Sequence, residues 1–114
     1  MLNIKRLKEL IKERERLFVE TQDEWDYGIE KCWKELIKVL SEDINSTIHY
    51  IDTECNDDEF SWFSEIFEEV ARETQSQEFV DCLWRYANNH KKICDEYNIR
   101  DFIEGAQEEI QTNR

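Results

Sequence analysis

Proline is missing from all 114 residues of this chain, where average usage would supply about six, and glycine occurs only at Gly28 and Gly105. These residue types punctuate strands, hairpins and tight turns. Their scarcity argues against a sheet, and the abundant residue types here are good helix formers. No run alternates apolar and polar residues far enough to suggest a strand. No stretch approaches the roughly 18 apolar residues that a membrane span requires. Residues Met1 to Leu7 carry Lys5 and Arg6 and no apolar block, so no secretory signal is expected and the chain is expected in the cytoplasm.

Motifs that carry chemistry are also missing. His49 and His90 lie far apart, with no G-x-S-x-G, H-E-x-x-H, E-x-x-H or Gly-rich phosphate loop near them. Nothing marks a serine or cysteine activated by a neighbouring base, and a Cys55–His49 pairing is possible but unsignalled. Cys32, Cys55, Cys82 and Cys94 form no C-x-x-C pair. Without a secretory signal they read as reduced thiols, with Cys32 and Cys82 at apolar helix positions. Zinc would need closer ligand pairs. Asp52, Glu54, Asp57, Asp58 and Glu59 could be imagined around Ca²⁺ or Mg²⁺, but the segment lacks the Gly that turns an EF-hand loop. No metal, no cofactor and no catalytic residue is expected.

What the chain does hold is aromatic bulk: four Trp, four Tyr and six Phe. A single domain of this length can bury roughly two-thirds of its extended surface, so it carries a real core despite 38 % charged residues. Apolar spacing and capping residues divide it into helices. A first amphipathic helix spans residues 3–20 with Ile4, Leu7, Ile11 and Phe18 on one face. Thr21 with Glu24 matches a capping box for a second helix to about residue 40, carrying Trp25, Ile29, Cys32, Trp33, Leu36 and Leu40. Ser41 is a candidate N-cap for a short third helix with Ile44, Ile48 and Ile51. Asn56 with Glu59 opens a fourth, whose inward stripe is Phe60, Phe63, Phe67, Val70 and Ala71. After a turn at 74–76, a fifth holds Phe79, Leu83, Tyr86 and Ala87 and ends near Asn88 and Asn89. A short piece with Ile93 and Tyr97 leads to Asn98 and Asp101, which cap a last helix carrying Ile99, Phe102, Ile103, Ala106 and Ile110. The tail beyond Gln111 is expected to fray. The expected fold is all-α: one compact domain over residues 1–114, a bundle of five to seven antiparallel amphipathic helices.

Charge is unevenly spread. The net charge is −13, yet residues 1–16 hold six Lys or Arg against three Glu. Residues 39–71 contain no Lys or Arg and ten carboxylates: Glu42, Asp43, Asp52, Glu54, Asp57, Asp58, Glu59, Glu65, Glu68 and Glu69. Such a segment repels itself and attracts basic ligands. On one continuous helix, Asp58, Trp62, Glu65 and Glu69 share a stripe beside the phenylalanines, setting a large aromatic among acids, as at interface hot spots. The partner-binding surface is therefore expected over about residues 41–73, at Asp52, Glu54, Asp57, Asp58, Glu59, Trp62, Glu65 and Glu69. The partner expected is a basic protein. Direct nucleic-acid binding is disfavoured, because Glu9, Glu13 and Glu15 offset the bases of the first helix and the overall charge repels phosphate. Trp62→Ala with charge reversal at Glu65 and Glu69 is expected to abolish binding and leave helicity unchanged.

A short, proline-free, acidic helical domain in which Asp58-Glu59-Phe60-Ser61-Trp62-Phe63 opens an acidic amphipathic helix resembles the helical immunity proteins of bacterial toxin systems, of bacteriocin, contact-dependent inhibition or polymorphic toxin type. The resemblance covers size, charge and helix pattern. It lacks the paired tyrosines and adjoining proline of the bacteriocin type's short third helix, although Tyr50 falls in that helix here. It implies a cognate toxin domain, often a basic nuclease, held inactive in a tight complex by occlusion of its active or substrate-binding surface. A rival from another class is an acidic DNA-mimic or regulatory adaptor using the same face on a host nucleic-acid-binding protein. A third is a helical enzyme subunit or metal-dependent hydrolase without a recognised motif.

Overall fold

Leu7, Leu10, Ile11 and Leu17 recur at helical spacing, and helix α1 (Ile4–Thr21) turns all four inward. The computed structural model describes residues 1–21 and 27–111 and contains no strand among them. After α1 come α2 (Tyr27–Glu42), α3 (Ile44–Thr53), α4 (Asp57–Phe63), a 3-10 turn (Ser64–Ile66), α5 (Phe67–Thr74), α6 (Gln77–Asn89), α7 (Lys91–Glu96) and α8 (Ile99–Glu109). Counting α4, the 3-10 turn and α5 as one interrupted helix, the described residues form a seven-helix all-α bundle, within the expected five to seven. The expected partner of Thr21 at Glu24, the apolar position Trp25, and the tail from residue 112 lie outside the described residues.

Helix α1 packs along α2, α3 along α6, and α8 against both α5 and α6. The radius of gyration is 13.5 Å, close to the roughly 13 Å of a folded domain this long. Phe60, Phe63, Phe67 and Phe79 are sealed in the centre, where Phe60 stacks on Tyr86 at 4.1 Å and Phe67 meets Phe79 edge-on at 6.3 Å. The expected inward stripe of Phe60, Phe63, Phe67, Val70 and Ala71 is buried throughout.

Local chemistry sets the boundaries, not always at the residue expected. The Asn56 side chain accepts from the Glu59 backbone N–H at 2.8 Å and the Glu59 carboxylate returns to the Asn56 N–H, the expected capping box. Ser76 caps α6 through the Phe79 N–H. Helix α3 is capped by Asp43 rather than Ser41, because α2 runs on to Glu42 and absorbs the serine. Asn98 precedes α8 in a left-handed conformation, φ 54°, and makes no side-chain cap, so its role is to permit the bend.

The fourth helix is broken. Phe60, Phe63 and Ile66 recur every three residues, the period of a 3-10 helix, and tightening the chain over Ser64–Ile66 keeps all three buried. The Ser64 hydroxyl donates to the Ser61 carbonyl at 2.6 Å inside this bend. At Ile66 the backbone leaves helical values, φ −125° and ψ 13°, before α5 starts. The run from Asp58 to Glu69 is therefore not one straight stripe.

A candidate partner-binding cleft

The structure separates the eight residues expected at the interface. Asp52 pairs with Arg85 of α6 at 2.9 Å, and Asp57 accepts from His90 Nδ1 and the Tyr86 hydroxyl, each at 2.8 Å. Both acids face α6. Glu54, exposed at the end of α3, borders a different groove with Met1, Ile4 and His49. Glu69 lies half-buried on α5, past the bend.

Two of the eight are occupied by the fold. Glu59 is only 6 % exposed. Besides closing the α4 cap, its carboxylate accepts from the Tyr50 hydroxyl at 2.8 Å and from Lys8 Nζ at 3.0 Å. Those bonds hold α3 and α1 to the start of α4, so Glu59 is a structural residue and not a contact for a partner. Burial, together with its hydrogen bond to Glu59, pushes the Tyr50 phenol up to about 12. Glu65 is tied to Arg14, a guanidinium only 1 % exposed. Nε donates to Oε1 at 2.8 Å and Nη2 to Oε2 at 2.7 Å, while Trp33 Nε1 donates to the same Oε1 at 2.9 Å. The Arg14 guanidinium also lies 5.0 Å from the Trp62 ring and 5.7 Å from the Trp33 ring. The segment that lacks cations thus receives them from Lys8, Arg14 and Arg85, far away in sequence.

Asp58 and Trp62 do stay together, with Glu65, in a cleft of about 330 Å³ where α1, α4, the 3-10 turn, the end of α7 and α8 meet. Its other walls are Ser61, Ser64, Phe18, Tyr97 and Phe102. Phe18 is 45 % exposed, Tyr97 55 % and Phe102 39 %. Three large aromatics open to solvent around one cleft are a concentration of apolar surface, unlike scattered single exposures. Trp62 is half-buried and meets Phe18 edge-on at 6.0 Å. Its Nε1 is buried and makes no hydrogen bond of normal geometry among the described residues.

Glu15 of α1 lies next to two of these lining residues, Asp58 and Trp62. Burial and the adjacent Asp58 carboxyl hold the Glu15 carboxyl above its ordinary pKa; the Trp62 indole and Lys12 oppose this more weakly. No ion pair to Glu15 or Asp58 occurs among the described residues. Two carboxyls without an ion pair among the described residues therefore lie together beside exposed rings.

No protein-family model, curated protein or solved structure matches this chain. The site stands on its own geometry.

Sequence reasoning missed Arg14, Glu15, Phe18, Tyr97 and Phe102. For Arg14 a signal existed: it falls seven residues after Leu7 and three after Ile11, in register with the buried face of α1. Phe18 and Phe102 were expected inside, but each sits at the edge of its helix's buried face and opens onto the cleft. Elsewhere the chemistry is quiet. Burial pushes the Cys32 thiol up to about 11 and Cys82 to about 12, and Cys55 is raised further, which keeps all three protonated. Among the described residues, no three His, Cys, Asp or Glu side chains are grouped to hold a metal ion, and no helix is long and apolar enough to cross a membrane.

Proposed function

We propose that this chain is an immunity protein: it binds a cognate bacterial toxin domain, a basic nuclease in the simplest case, and neutralises it by covering the surface that engages substrate. The observation that carries this reading is the cleft around Trp62, in which Asp58 makes no ion pair among the described residues while Phe18, Tyr97 and Phe102 stand open. Aromatic side chains supply binding area at low entropic cost, and surrounding acids select a cationic partner and speed its encounter. The net charge of −13 extends that field over the molecule.

The surface narrows from the eight residues expected to the region around Asp58 and Trp62, with Glu69 further along the chain. The test is co-expression with the product of the adjacent gene, followed by co-purification and an activity assay of the captured protein. A complex that silences a toxic activity, weakens with rising salt and weakens at least about tenfold in Asp58→Lys supports the reading. No complex, or one that leaves the captured protein's toxic activity intact, overturns it. Capture of a non-toxic nucleic-acid-binding protein would replace it with the DNA-mimic reading.

A further inference from the structure

Resting on that reading of the same surface, we propose that the cleft takes one arginine side chain of the partner protein, with its guanidinium on the Glu15 and Asp58 carboxyls and its aliphatic stem across Phe18, Tyr97 and Phe102.

Size points to a side chain rather than a folded element, because about 330 Å³ lies at the low end of ligand pockets, which run from roughly 300 to 1,000 Å³. Charge points to a cation. Asp58 lines the cleft and makes no ion pair among the described residues, Glu15 lies next to it, and neighbouring carboxyls are relieved by a positive group. Walls of phenyl, phenol and indole rings point to a cation that tolerates desolvation and stacks on aromatic faces. Guanidinium does both, and its planar fork can reach two acceptors at once, whereas an ammonium is a compact and strongly hydrated charge.

The molecule already builds a similar arrangement beside the cleft. Arg14 lies within 6 Å of the Trp33 and Trp62 rings and is held by both oxygens of Glu65. An arginine entering from outside would meet Phe18, Tyr97 and Phe102 together with the Asp58 carboxylate and, next to it, Glu15. Glu65, bound to Arg14, offsets the charge beneath, so the entering cation is not repelled by an uncompensated guanidinium.

The test uses the full chain and two probes, the capped tripeptide acetyl-Leu-Arg-Leu-amide and its neutral counterpart with citrulline in place of arginine. Binding is followed by NMR at the Trp62 indole N–H. The arginine peptide should shift that resonance and bind at least about tenfold more tightly than the citrulline peptide, the difference expected of a charge-assisted pair. Glu15→Gln and Asp58→Asn, at surface positions whose folding is checked by circular dichroism, should each weaken it about fivefold or more. Phe18→Ser with Tyr97→Ser should weaken both peptides. Equal affinity for the two peptides, or shifts that bypass Trp62, overturns the proposal. The two readings fail separately: a toxin complex unchanged by Glu15→Gln and Asp58→Asn, with no response to the arginine peptide, removes the arginine site and leaves immunity standing. A peptide response without any toxin complex does the reverse.

Discussion

Arg14 on α1 holds Glu65 in the 3-10 turn, 51 residues later, by two parallel N–H···O bonds of 2.8 and 2.7 Å. The basic first helix is thus a clamp on the acidic segment and not a separate pole. This changes what a charge reversal at Glu65 reports. A lysine there would face a guanidinium that is 1 % exposed, and the fold would give way before any binding surface could be judged.

Breaking a buried pair by removing one partner costs about 3–5 kcal/mol, because the survivor stays buried and uncompensated. Glu65→Ala and Arg14→Ala are each expected to lose stability on that scale in urea denaturation. Arg14→Met with Glu65→Leu, which removes both charges at similar bulk, should be less damaged than the sum of the single changes. Additive losses would show that the two side chains are not energetically coupled.

Glu59 joins a helix cap to a buried phenol. Losing the cap costs about 1 kcal/mol and orphaning a buried hydroxyl about 1–3 kcal/mol, so Glu59→Ala should lose about 2–4 kcal/mol. Tyr50→Phe added to Glu59→Ala should return part of that loss, since the phenylalanine leaves no hydroxyl unsatisfied. Lys8→Ala should cost under about 1 kcal/mol, because Lys8 is half-exposed and its pair with Glu59 is screened by solvent. A Glu59→Ala variant as stable as the parent would contradict this assignment.

Glu15 couples the cleft to pH. Its folded-state pKa is raised above the ordinary 4.5 by burial and by Asp58, so the protonated form favours folding. That contribution is full below about pH 4.5 and is lost as pH rises through the raised value. Glu15→Gln should therefore melt above the parent at pH 7, with the gain vanishing as pH falls toward about 4. A gain that grows toward acid would reverse the sign and sink the explanation.

Gly105 on α8 lies directly under Glu68 of α5. A Cβ at position 105 would come within 2.8 Å of the Glu68 carboxyl carbon and Oε2. Those atoms end a flexible side chain, so Gly105→Ala should push Glu68 outward at a cost that largely offsets the roughly 1 kcal/mol gained from alanine in a helix. With Glu68→Ala in place, the same change should stabilise by close to the full amount. Equal effects in both backgrounds, read by thermal melting, would show that the contact does not constrain α8.

Helix content and the central stripe were legible because they rest on local rules. The Asn56–Glu59 capping box, the turn at 74–76, and the phenylalanines from Phe60 to Phe67 act over three or four residues, and all appear where the spacing puts them. The break at Ser64–Ile66 was signalled only by the three-residue period of Phe60, Phe63 and Ile66. A helical pattern with Phe67 and Val70 in register masked it. The acidic stripe was misread for that reason, and Glu69 parted from Trp62.

By itself the sequence determined an all-helical chain, rich in aromatics and strongly acidic, with the excess negative charge between residues 39 and 71. Only the tertiary structure decided which acids remain available. Lys8, Arg14 and Arg85 lie 33 to 51 residues from the carboxylates they neutralise. Such pairings depend on how helices cross and not on spacing along any one of them. The same crossings brought Phe18, Trp62, Tyr97 and Phe102 around one opening, because an edge position on a helix is covered or left open by whichever neighbour packs beside it.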